Sequence, residues 1–208
     1  MPATIDAQLP LSLLIAVRSL DTPLGDPETE TEYVSELRNK RLGLSDTVYA
    51  QIKRYTEAVR RSQPATHADA AALARLLGRR PDAEAIFRWA GRHLAVQAYQ
   101  TLSPMTRKVV RVLPALLARP VALRQARRLA RRFAAGRVER KGASVLLRVA
   151  EPVTADASAT SIGCTLYESL LRELMRLLVG GEGMVEHVRC AERGEGACEW
   201  RAEWRKTA

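Results

Sequence analysis

All three cysteines of this 208-residue chain fall after position 163, and a histidine sits among them. Cys164 precedes a leucine-rich helical pattern. His187 and Cys190 share one extended stretch, and Cys198 opens another, eight residues on, across Arg193-Gly194-Glu195-Gly196. Three thiols cannot pair off into a disulfide framework, and the set suits a reducing compartment and a metal. Three thiolates and one imidazole are the donors of a closed, tetrahedral zinc site with no position left open. To use all four, the chain must bring a helix start and both arms of a hairpin to one point. The competing reading is three buried, inert cysteines, because free Cys is commonly buried.

The spacing sets a further condition. Residues three apart on an ideal strand face opposite sides, so His187 and Cys190 converge only across a bulge or a strand end. Glu186, four before Cys190, shares its face on a regular strand and competes as the fourth ligand.

The rest of the chain supplies a helical half. Residues 1–30 are a poorly patterned lead, with an acidic, turn-rich loop over 21–31. Ser45 caps a helix to about Arg61, with Val48, Ile52, Tyr55 and Val59 at helical spacing, and Pro64 breaks it. Thr66 caps the next, which Gly78 ends. Pro81 reads as a first-turn proline of a helix that lines up Ile86, Trp89, Ala90, His93, Leu94 and Gln97. Pro114 and Pro120 divide the apolar, basic stretch from Met105 to Ala135 into shorter helices. The pattern then changes to alternation over Arg137 to Val149, a hairpin turning at Lys141-Gly142. A loop over 151–161 leads to an amphipathic helix over Leu166 to Val179, then strands over Met184 to Cys190 and Cys198 to Trp204. The predicted class is α+β: a helical N-terminal half, then an antiparallel sheet built as hairpin, helix, hairpin and closed by structural zinc.

Net charge is +10, and it is concentrated. Between Arg107 and Lys141 stand twelve basic residues against one acid, Glu139. Such a block suits nucleic acid, an anionic membrane surface or an acidic partner, or else a solvated helix face. Few aromatics interleave it and no helix-turn-helix is evident, which argues against nucleic acid; peripheral membrane contact stays open. No apolar run is long enough to span a bilayer, and no basic n-region precedes the first one, so a cytoplasmic setting is expected.

The segment Gly163-Cys164-Thr165-Leu166-Tyr167-Glu168, the leucine-rich helix, Val185-Glu186-His187-Val188-Arg189-Cys190, Gly194 and Ala197-Cys198-Glu199-Trp200 resembles the 4-vinyl-reductase-type, or hydrocarbon-binding, domain. That family includes a bacteriochlorophyll-biosynthesis protein and the sensors of phenol- and toluene-responsive activators. Its sensors hold zinc with a cysteine, an acidic residue 23 positions later, and cysteines 3 and 8 further on. Cys164, His187, Cys190 and Cys198 match that spacing, with His187 in place of the acid. The motif covers about 163–204, and a weaker likeness reaches back to about residue 80. The resemblance implies residues 63–208 as a ligand-binding domain, with 1–62 as an extension and helix offering dimer contacts. It implies a homodimer and an apolar pocket for a hydrophobic small molecule, such as a tetrapyrrole precursor.

Trp89, His93, Phe133 and Tyr167 are the candidates to line that pocket, each with ordinary core packing as its alternative. No GxGxxG, GxxxxGK[ST] or GxSxG motif is present, so no catalytic residue is assigned. A binding protein is the leading expectation. Enzymatic or accessory work in vinyl reduction rests on the family name alone.

Overall fold

The computed structural model describes residues 3–22, 42–112, 115–157, 161–180 and 183–203. Seven α-helices and two antiparallel sheets make up these residues. Strand β1 (Thr4–Asp6) leads into helix α1 (Gln8–Asp21). Helix α2 (Asp46–Arg60), strand β2 (Pro64–Thr66) and helices α3 (His67–Gly78), α4 (Ala83–Gln100), α5 (Pro104–Val112) and α6 (Ala115–Phe133) follow. The chain closes with β3 (Arg137–Lys141), β4 (Ser144–Val149), α7 (Thr165–Val179), β5 (Val185–Arg189) and β6 (Cys198–Glu203). β1 pairs with β2, and the larger sheet has the order β3-β4-β6-β5. The α+β class agrees with the sequence reading.

Local signals explain most boundaries. Ser45 and Thr66 cap their helices by accepting from the Val48 and Asp69 N–H groups. Gly180 ends α7 in the left-handed conformation, φ +72°, which costs a glycine nothing. Val145, Leu147 and Val149 alternate inward along β4 and pair with Ala202, Trp200 and Cys198 of β6.

Helix α7 buries Leu166, Leu170, Leu174 and Leu178 on one stripe. Each such burial stabilises by roughly 1.5–3 kcal/mol. α7 lies between the sheet and α4. The two helices approach closely because α4 presents Ala90, Gly91, Ala95 and Ala98; a Cβ on Gly91 would stand 2.1 Å from the Leu166 carbonyl oxygen. α1 in turn packs on α4.

Four sequence expectations change. The poorly patterned lead is structured: α1 buries Leu9, Leu11, Leu13, Leu14, Ala16 and Val17, apolar on so many sides that no helical stripe shows. With β1 it joins the same buried cluster as the late sheet, so residues before 63 contribute to one continuous core. Pro81 lies two residues before α4, and Arg80 bridges Asp82 and the buried Asp21 at 2.8 and 2.7 Å, tying the α4 start to the α1 end. Pro120 does not break α6: one missing N–H is outweighed by the buried Ala122, Ala126, Leu129, Ala130 and Phe133 further along. The hairpin turns one residue late, at Gly142-Ala143, with Gly142 at φ +63°. The loop expected over 21–31 falls almost wholly outside the described residues. No described helix is long and apolar enough to cross a membrane.

Candidate metal centre

The late sheet and α7 meet at one corner. Gly163 presses against Thr154, where a Cβ would stand 2.7 Å from the Thr154 carbonyl oxygen. That contact seats the short 3-10 turn Ile162–Cys164 and delivers the Cys164 thiol at the helix start. Cys190 follows β5, and Cys198 opens β6 opposite Val149. Between them, Gly194 and Gly196 take φ of +79° and +82°, and the Glu195 carboxylate accepts the Cys190 N–H at 2.6 Å. A tight glycine turn clamped on its own strand end therefore sets the distance between the last two thiols.

The convergence of His187 and Cys190 comes from a bulge. His187 pairs with Trp200 and Arg189 with Glu199, so Val188 is an extra residue in β5. Trp200 is fully buried and stacks on its cross-strand partner His187 at 4.9 Å and 12°, and on Tyr167 at 5.1 Å. The Tyr167 hydroxyl accepts the Val153 N–H at 3.1 Å, and burial pushes its ionisation up. A rigid aromatic stack thus orients the imidazole.

Cys164, His187, Cys190 and Cys198 bring their donor atoms within 4.8 Å of one another. Cys164 Sγ lies 4.0 Å from both Cys190 Sγ and Cys198 Sγ. Tetrahedral zinc with Zn–S bonds of about 2.3 Å would hold thiolates about 3.8 Å apart. All three thiols are buried, and none forms a disulfide. The buried His187 Nε2 has no hydrogen-bond partner among the described residues, an arrangement that costs energy unless something binds it. The Cys198 thiol is pulled down, chiefly by its hydrogen bond with Cys164, helped by His187 and by the Ala191 N–H at 3.3 Å. Cys164, as the donor of that bond and a desolvated group, is pushed up. Glu186, the competing ligand, is turned outward, exposed, and lies 3.9 Å from Arg201.

The corner can hold a metal ion. The aromatic support was missed as such from sequence, although Cys198, Trp200 and Ala202 show the two-residue alternation that buries them together.

The other candidates lie apart from it, except Tyr167. Trp89 and His93 stack on α4 at 5.0 Å and 15°, and His93 Nδ1 lies 3.0 Å from Ser12 Oγ on α1. Phe133, at the end of α6, is buried beneath the Arg132 guanidinium at 4.8 Å. Three cavities open around Arg131, and none of these is lined by Trp89, His93, Phe133 or Tyr167.

Comparisons with protein-family models, with curated proteins and with solved structures found no match.

Proposed function

We propose that the four residues hold a structural zinc in a small-molecule-binding domain of the 4-vinyl-reductase, or hydrocarbon-binding, type. The observation that carries the metal reading is a buried, partnerless imidazole nitrogen grouped with three buried thiols. Borderline-soft sulfur and nitrogen donors in a closed set of four favour zinc over magnesium or calcium, which take oxygen. Zinc there would cross-link the α7 start to both arms of the last hairpin, and its binding energy would become folding energy.

The ligand-binding half of the proposal is supported by the match in metal spacing and by the lack of any nucleotide or acyl-transfer motif in the sequence. A hydrophobic molecule, a tetrapyrrole among the candidates, is the expected ligand. The test is native mass spectrometry with an absorbance spectrum on protein purified from its own host. A co-purifying apolar molecule or pigment, released on denaturation, is expected. Protein that carries none, and that binds no apolar fluorophore at micromolar concentration, would overturn the reading.

A further inference from the structure

Helix α6 carries a second concentration of one chemistry, and the zinc corner does not use it. Arg124, Arg127, Arg128 and Arg131 follow the i, i+3, i+4, i+7 spacing of a single helix face. The opposite face is anchored by the buried Ala122, Ala126, Leu129, Ala130 and Phe133, so the arginine row points to solvent on a rigid support. Like charges at these spacings oppose helix formation.

Several exposed arginines elsewhere are paired with acids. Arg60 and Arg61 meet Glu57, Arg88 meets Glu84, Arg172 meets Glu168, Arg176 meets Glu173 and Arg201 meets Glu186. On α6, Arg132 reaches Asp6 at 2.9 Å, and Arg127 donates only to the neutral Val138 carbonyl. Arg124, Arg128, Arg131 and the adjacent Arg137 of β3 have no acidic partner among the described residues. The surface there is concave. A cavity of 660 Å³ is lined by Arg124, Gln125, Arg127, Arg128, Arg131 and Arg132. A second, of 440 Å³, is lined by Arg127, Arg131, Arg137, Val138 and Glu139. A third, of 460 Å³, opens between β1, β2 and α6 and shares Arg131 and Arg132. Arg131 lines all three.

We propose that this arginine-lined recess binds a small, soluble polyanion carrying two or more phosphate-type groups. Guanidinium forks match phosphate oxygens two bonds at a time, and several unpaired forks around a ligand-sized hollow supply charge and shape together. A helix face kept only for solvation does not need a recess lined by five arginines. The site lies apart from the metal corner, and the proposal does not rest on the zinc or apolar-ligand reading.

Titration calorimetry of the full chain with inorganic tripolyphosphate at low ionic strength tests it. The expected result is saturable binding near one equivalent that weakens with added salt. Arg128→Gln with Arg131→Gln should weaken it at least tenfold, while Arg88→Gln on α4 leaves it unchanged. All these side chains are exposed, so the variants should keep the parent circular dichroism and zinc content. Absence of saturable binding, equal loss in Arg88→Gln, or unchanged affinity in the double variant would overturn the proposal. So would binding confined to duplex DNA or to anionic vesicles with none to tripolyphosphate, because that assigns the charge to an extended surface.

Discussion

The metal corner and the arginine face of α6 stand on the same core and treat polar chemistry in opposite ways. At the corner, donors from α7, β5 and β6 are drawn inward, buried and held by a bulge, a glycine turn and an aromatic stack. On α6, equally concentrated charge is held outward, most of it with no acidic partner among the described residues. Under the proposals above, the closed donor set stabilises and the open one binds. Substitutions should therefore separate the two regions by the size and kind of their effect.

The largest effect belongs at the corner. Cys190→Ser should remove most of the metal affinity and destabilise by at least about 4 kcal/mol, the scale of a lost structural metal. Denaturant unfolding with parallel zinc analysis measures this, and a loss below about 1 kcal/mol would break the comparison. Trp200→Ala comes next. It should cost about 3–5 kcal/mol through the cavity it leaves. It should also weaken zinc binding about 10–100-fold, because the imidazole loses its orienting partner. A chelator-competition titration separates the two losses, and Trp200→Phe should recover much of both.

Gly91→Ala sharpens the comparison from behind. Its Cβ would meet the Leu166 carbonyl oxygen at 2.1 Å, so α4 and α7 must part, at a cost of about 1–3 kcal/mol by thermal melting. Because α7 begins at the Cys164 ligand, zinc affinity should fall with it, which a purely local clash would not cause.

The smallest effect lies away from both regions. Desolvation lowers the His93 pKa below its ordinary 6.5. The unfolded chain then binds a proton that the folded chain resists. The stability involved is complete above about pH 6.5 and declines as pH falls toward the lowered folded value. His93→Gln should flatten that decline in denaturant midpoints between pH 7 and 5. An unchanged slope would show that His93 takes no part.

The metal spacing was the most legible part of the chain. Ligand identity is written in residue type, and the need for a bulge between His187 and Cys190 follows from strand geometry alone. The choice against Glu186 required the structure, because it depends on Val188 being the extra residue and on Trp200 lying opposite His187. The strands and α7 were legible because one side of each is buried. Helix α1 was not, because nearly all of its sides are apolar and buried, and its neighbours come from α4 and α2. Pro120 misled for a related reason: a helix packed along its later turns tolerates one proline early on. The unpaired state of the arginine face was also hidden, since the acid that answers Arg132 comes from Asp6, 126 residues away.

X-ray absorption at the zinc edge, on the purified full chain, bears most directly on the central claim. The account predicts one zinc per chain with a shell of three sulfurs at about 2.3 Å and one nitrogen at about 2.0–2.1 Å, and no bound water. Zinc below a tenth of an equivalent in protein purified without chelator would contradict it. So would a shell dominated by nitrogen and oxygen, or one unchanged in His187→Ala.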